Sequence, residues 1–102
     1  MGPCPDRDLL EALRGLLEGK GAYRVWLVGS RARNGACSRA DYDLALWTER
    51  PLSLAELGWI RLNLEDLPIP EKVDLIYLNL SPGFFRVVVE EGVLLERTGA
   101  AA

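Results

Sequence analysis

Tyr23-Arg24-Val25-Trp26-Leu27-Val28-Gly29-Ser30 is the stretch on which the reading of this chain turns. Its first six residues are aromatic, β-branched or aliphatic apart from Arg24, and glycines bound them on both sides, the signature of a short, largely buried strand. The strand ends on a glycine followed by a serine. Working upstream, Leu9, Leu10, Leu13, Leu16 and Leu17 recur at helical spacing over residues 6–18, and Gly19 and Gly21 then stop the helix. Working downstream, the polar residues 31–40 read as loop or one short helical turn. Asp41-Tyr42-Asp43-Leu44-Ala45-Leu46-Trp47 follows with the length and content of a second strand.

The alternation continues. Ser53-Leu54-Ala55-Glu56 matches a capping box, in which serine and glutamate side chains satisfy each other's free amides, and Leu54, Leu57, Ile60, Leu64 and Leu67 carry a helix to about residue 66. Pro68 and Pro70 force an extended connection into a third strand at 72–78. Ser81-Pro82 suits a helix start, so residues 82–91 are expected as a helix ended by Gly92, despite the run Val87-Val88-Val89. Residues 93–96 form a last short strand, and 98–102 a disordered tail. The expected fold class is α/β, in the order α-β-α-β-α-β-α-β, with a sheet covered by helices on at least one face. One domain over residues 1–102, with its core at about 6–97, accommodates all of this.

Composition narrows the function. The chain has 102 residues, 49% of them apolar, a formal net charge of -3 and no histidine. Without histidine, catalysis must lean on carboxylates, hydroxyls or a metal. Without a block of Lys or Arg, a broad nucleic-acid footprint is disfavoured, and duplex DNA is not an expected partner. The two cysteines, Cys4 and Cys37, are too few for a disulfide framework, and a reducing, cytoplasmic setting is expected. No secretory signal and no membrane-spanning run is legible.

Three carboxylates stand out. Asp41 and Asp43 are two apart, so on a strand both point to one side, where they can hold one or two divalent cations. Asp6 and Asp8 share that spacing, but at the start of a helix they are explained by the helix dipole. Asp74 interrupts the apolar run Val73-Asp74-Leu75-Ile76, where a buried charge needs compensation. A metal ion shared with Asp41 and Asp43 supplies it; so does an ion pair with Arg24, Arg31 or Lys72. Gly29 and Ser30 suit a phosphate, to which Arg31 or Arg33 would add charge, although a Gly-Ser pair alone is most often a turn. Trp47, Trp59, Phe84 and Phe85 fit either the core or a partner surface.

Taken together, Leu27-Val28-Gly29-Ser30-Arg31-Ala32-Arg33, with Asp41-Tyr42-Asp43-Leu44 beginning twelve positions after Gly29, resembles the nucleotidyltransferase superfamily of DNA polymerase beta, and within it the minimal nucleotidyltransferases. One departure is Asn34, where these small proteins commonly have glycine; here Gly35 comes one position later. The resemblance implies a small mixed sheet flanked by helices. It implies that Gly29 and Ser30, with Arg31 and Arg33, bind a nucleoside triphosphate, ATP by preference. Asp41 and Asp43 would coordinate magnesium, two ions being expected, with Asp74 completing a catalytic and metal-binding triad.

The same resemblance implies a partner. Minimal members commonly act as antitoxins beside a small helical HEPN-type toxin, and the implied activity is transfer of AMP to a tyrosine of that toxin. A homo-oligomer would be another way to complete so small a domain. The competing expectation is a catalytically silent nucleotide- or partner-binding module that neutralises its partner by occupancy.

Overall fold

The computed structural model describes residues 6–29, 42–68 and 72–98. Helix α1 (Asp6–Leu17) leads into β1 (Tyr23–Val28). Next in the described chain come β2 (Tyr42–Thr48) and α2 (Leu54–Glu65). Then follow β3 (Val73–Tyr77), a short 3-10 turn at Leu78–Leu80, α3 (Pro82–Glu91) and β4 (Val93–Thr98). The helical element expected between the first two strands falls outside the described residues. No helix among the described residues is long and apolar enough to cross a membrane.

The four strands form one mixed sheet in the order β3-β2-β1-β4. β1 is antiparallel to both β2 and β4, whereas β2 and β3 run parallel, with α2 as the crossover. The α+β arrangement follows from strand alternation, because successive side chains leave opposite faces. One face carries Tyr23, Val25, Leu27, Tyr42, Leu44, Leu46, Val73, Leu75 and Tyr77. It packs against Leu9, Leu13 and Leu17 of α1 and Leu57, Ile60 and Leu64 of α2. The other face gathers Trp26, Ala45 and Leu78 around Val88 of α3, with Phe85 edge-on to Trp26 at a centroid distance of 5.7 Å.

Local chemistry fixes the ends. Ser53 Oγ accepts from the Glu56 amide at 3.1 Å and Glu56 Oε1 accepts from the Ser53 amide at 2.9 Å, the expected capping box. α3 ends at Gly92, where any β-carbon would meet the Val88 carbonyl oxygen at 2.7 Å and the Leu27 carbonyl oxygen at 3.2 Å. Glycine is therefore required by proximity there, since its φ of -84° is open to any residue. β4 runs past the expected Glu96 to Thr98, opposite Tyr23, and Glu96 is held to α1 by Arg14 at 2.7 Å.

At this same end of the sheet, where Tyr23 also pairs with Thr48, polar side chains replace a missing strand partner. Asn79 Nδ2 donates to the Thr48 carbonyl at 2.8 Å, and its Oδ1 accepts from the Thr48 amide at 3.0 Å. The Tyr77 hydroxyl lies 2.6 Å from Thr48 Oγ1 and accepts from the Leu52 amide at 2.8 Å. Buried main-chain groups at the end of β2 are satisfied in this way.

Candidate active site

Asp43 and Asp74 are second residues of neighbouring parallel strands. The register pairs Tyr42 with Val73 and Asp43 with Asp74, so the two carboxylates leave the same face side by side. The pairing is anchored by the Tyr42 amide, which donates to the Lys72 carbonyl at 2.8 Å. On its other side Asp43 pairs with Val28, the last residue of β1, which brings Gly29 against it.

Gly29 adopts φ +76°, and a β-carbon there would lie 2.6 Å from Asp43 Oδ2. The left-handed backbone strains any other residue there, and a β-carbon would push the Asp43 carboxylate out of the space it now holds. The glycine therefore does more than turn the chain, because it leaves room for a charged group at the strand end.

Asp43 is half-buried, whereas Asp74 is exposed. This corrects the expectation that Asp74 is a buried charge demanding compensation. β3 is an edge strand, and α3, which covers this face at Trp26 and Ala45, leaves the start of β3 open. The alternative ion pair with Arg24 is also absent: Arg24 stacks over the Trp47 ring at 5.3 Å, and among the described residues Asp74 makes no ion pair. Beside Asp74 lies a cleft of about 140 Å³ lined by Arg61, Leu64, Glu65, Val73 and Leu75.

Asp41, Ser30, Arg31 and Arg33 lie outside the described residues. Two carboxylates of the expected three are thus placed, and among the described residues no third acid joins them. The donor set nonetheless fits a hard cation such as magnesium: the available ligands are carboxylate oxygens, and Gly29 keeps space clear at one of them. A wider cleft, about 400 Å³ between Lys20, Arg50, Pro51, Leu52 and Glu56, lies at the far end of the sheet and holds no acidic pair.

The aromatic residues divide. Trp47 and Phe85 are half-buried on the α3 face, but Trp59 and Phe84 keep 50% and 51% of their surface exposed, so these two are not core. Sequence reasoning also passed over Arg97, which the register sets directly across from Arg24. Only the strand order reveals that neighbourhood.

The family described as Polymerase beta, Nucleotidyltransferase matches residues 12–98, and this chain belongs to it. It is therefore a nucleotidyltransferase domain. A curated relative, the probable protein adenylyltransferase MntA of Haemophilus influenzae, is 29% identical over 69 residues, which cover 68% of this chain and 60% of the relative. The chain thus matches less than two thirds of that relative's length.

Two solved structures share the fold. Both are variants of the toxin-antitoxin pair MntA-HpeT. One, carrying two aspartate-to-glutamate changes, aligns with a TM-score of 0.70 at 19% identity, covering 91% of this chain and 73% of the other. The second, a tyrosine-to-alanine variant, gives 0.68 at 21% identity, covering 91% and 72%.

Proposed function

We propose that this domain transfers AMP from ATP to a hydroxyl of a partner protein, a tyrosine of a HEPN-type toxin, and thereby serves as the antitoxin of a pair. The observation behind this reading is the in-register pair Asp43 and Asp74 beside a glycine whose missing side chain makes space for Asp43. The name of the curated relative, an adenylyltransferase, and the toxin-antitoxin complexes that share the fold favour this acceptor over a free metabolite.

In the proposed reaction the acceptor oxygen attacks the α-phosphorus, the bond from that phosphorus to the bridging oxygen breaks, and pyrophosphate leaves. Asp41, Asp43 and Asp74 would hold magnesium, which when bound neutralises triphosphate charge and lowers the pKa of the attacking hydroxyl. Gly29 and Ser30 hold the triphosphate by close backbone approach and hydrogen bonds, with Arg31 and Arg33 adding charge. Asp74, exposed at the sheet edge, is open to the incoming acceptor and takes or guides the hydroxyl proton.

The test is label transfer. Purified protein is incubated with magnesium, each α-labelled nucleoside triphosphate and lysate of the source organism, in wild type and in Asp43→Asn. Label from ATP on one protein band, with wild type only, supports the proposal. Tight ATP and partner binding without transfer supports the silent module instead.

A further inference from the structure

α3 divides one face of the sheet into two open corners. The helix begins after the turn at Leu78–Leu80 and ends at Gly92 against Leu27 and Val28, so it crosses the face obliquely from the far end of β3 to the near end of β1. One corner left open is that of Asp43 and Asp74. The other is the far end of β1, β2 and β4, and its chemistry is opposite.

In that second corner Arg24 stands directly across from Arg97 in the antiparallel register, and Arg24 stacks on Trp47 at 5.3 Å. Two cations directly opposed on one face repel each other, and among the described residues neither has a carboxylate within ion-pair distance. Arg24 Nε, moreover, is inaccessible to water and has no acceptor among the described residues. A buried donor without a partner is rare in native proteins. Leu94, paired with Trp26 on the same face, keeps 47% of its surface exposed, and Arg97 is exposed.

We propose that Arg24, Arg97 and Trp47, rimmed by Leu94, form a docking site for an acidic segment of a partner protein. Charge complementarity selects the occupant: a planar guanidinium pair takes a carboxylate by two parallel hydrogen bonds, and Trp47 and Leu94 take a neighbouring apolar side chain. A nucleic-acid strand is the poorer fit, because the chain carries a net charge of -3 and its sequence has no block of Lys or Arg to neutralise many phosphates at once. The inference rests on the reading that the domain acts on a protein, and it adds where that protein is held. Arg24 to Val28 spans roughly 13 Å of strand, so one partner can occupy this corner while presenting a hydroxyl at the other.

The test follows the side-chain Nε–Hε signals of Arg24 and Arg97 in ¹⁵N-labelled full-length protein during titration with a peptide of alternating glutamate and leucine. A lysine-leucine peptide, inorganic phosphate and a single-stranded RNA oligonucleotide serve as comparisons. The acidic peptide is expected to shift both signals and to bind about tenfold or more weakly to Arg97→Glu, with Arg97→Gln between. Asp43→Asn, in which transfer is expected to be lost, should bind it unchanged, so docking and catalysis fail independently. Unmoved signals with the acidic peptide overturn the proposal, and so does tighter binding of the RNA at the same arginines.

Discussion

A β-carbon on Gly29 would stand 2.6 Å from Oδ2 of Asp43. The end of β1 and the start of β2 therefore share one volume, divided between a bare backbone and a carboxylate. Gly29→Ala is expected to lose about 1–2 kcal/mol from the left-handed backbone alone, and to lose transfer far beyond what instability explains, because the methyl group displaces Asp43. Urea denaturation beside transfer assays at saturating ATP separates the two effects.

Asp43 and Asp74 stand side by side in register, and their like charges impose a cost on the fold. Like charges opposite each other in a sheet are destabilising by a few tenths to about 1 kcal/mol. Asp74→Asn should therefore raise thermal stability slightly in metal-free buffer while reducing transfer by on the order of 100-fold or more. A variant that is both less stable and fully active would contradict the assignment.

Glu56 predicts a pH dependence. A hydrogen bond from Lys20, followed by those of the Ser53 cap, lowers its carboxyl from an ordinary 4.5 to about 2. A depressed folded value means that the contribution is complete above about 4.5 and is lost as pH falls towards 2. Stability measured across that window should fall less steeply in Glu56→Gln than in wild type, and the Glu56 side-chain signal should titrate near 2 by NMR.

Much of the fold was legible because its signals are local. Ser53 and Glu56 lie three positions apart and cap the helix in the geometry their spacing implies, and glycine after residue 91 ends α3. Of the candidate site, Gly29 and Asp43 share one strand connection and could be read together. What escaped depends on strand order. Asp74 looks buried in an apolar run, yet β3 is at the edge; Leu54 fits a helical stripe, yet it is 79% exposed in the first turn of α2. Asn79 and Tyr77 give no sequence signal for bonds to Thr48, because that pairing is made only when β2 and β3 lie side by side.

The Tyr77 hydroxyl joins two elements, contacting Thr48 Oγ1 at 2.6 Å and the Leu52 amide at 2.8 Å. Tyr77→Phe leaves the Leu52 amide without its acceptor, while Thr48 Oγ1 keeps its bond to the Arg50 carbonyl at 2.7 Å, and a loss of about 1–3 kcal/mol is expected in urea denaturation. Transfer by the folded variant should change little, since this network lies at the end of the sheet away from Asp43.

The most direct measurement compares ATP labelled at the α-phosphorus with ATP labelled at the γ-phosphorus, in one reaction with magnesium and the acceptor protein. Nucleotidyl transfer predicts label on the acceptor from the α-position alone, released pyrophosphate from the γ-position, and neither with Asp43→Asn. Label on the acceptor from the γ-position would mean phosphoryl transfer, and label from neither position, with ATP and acceptor both bound, would mean no transfer at all; either result contradicts the assignment.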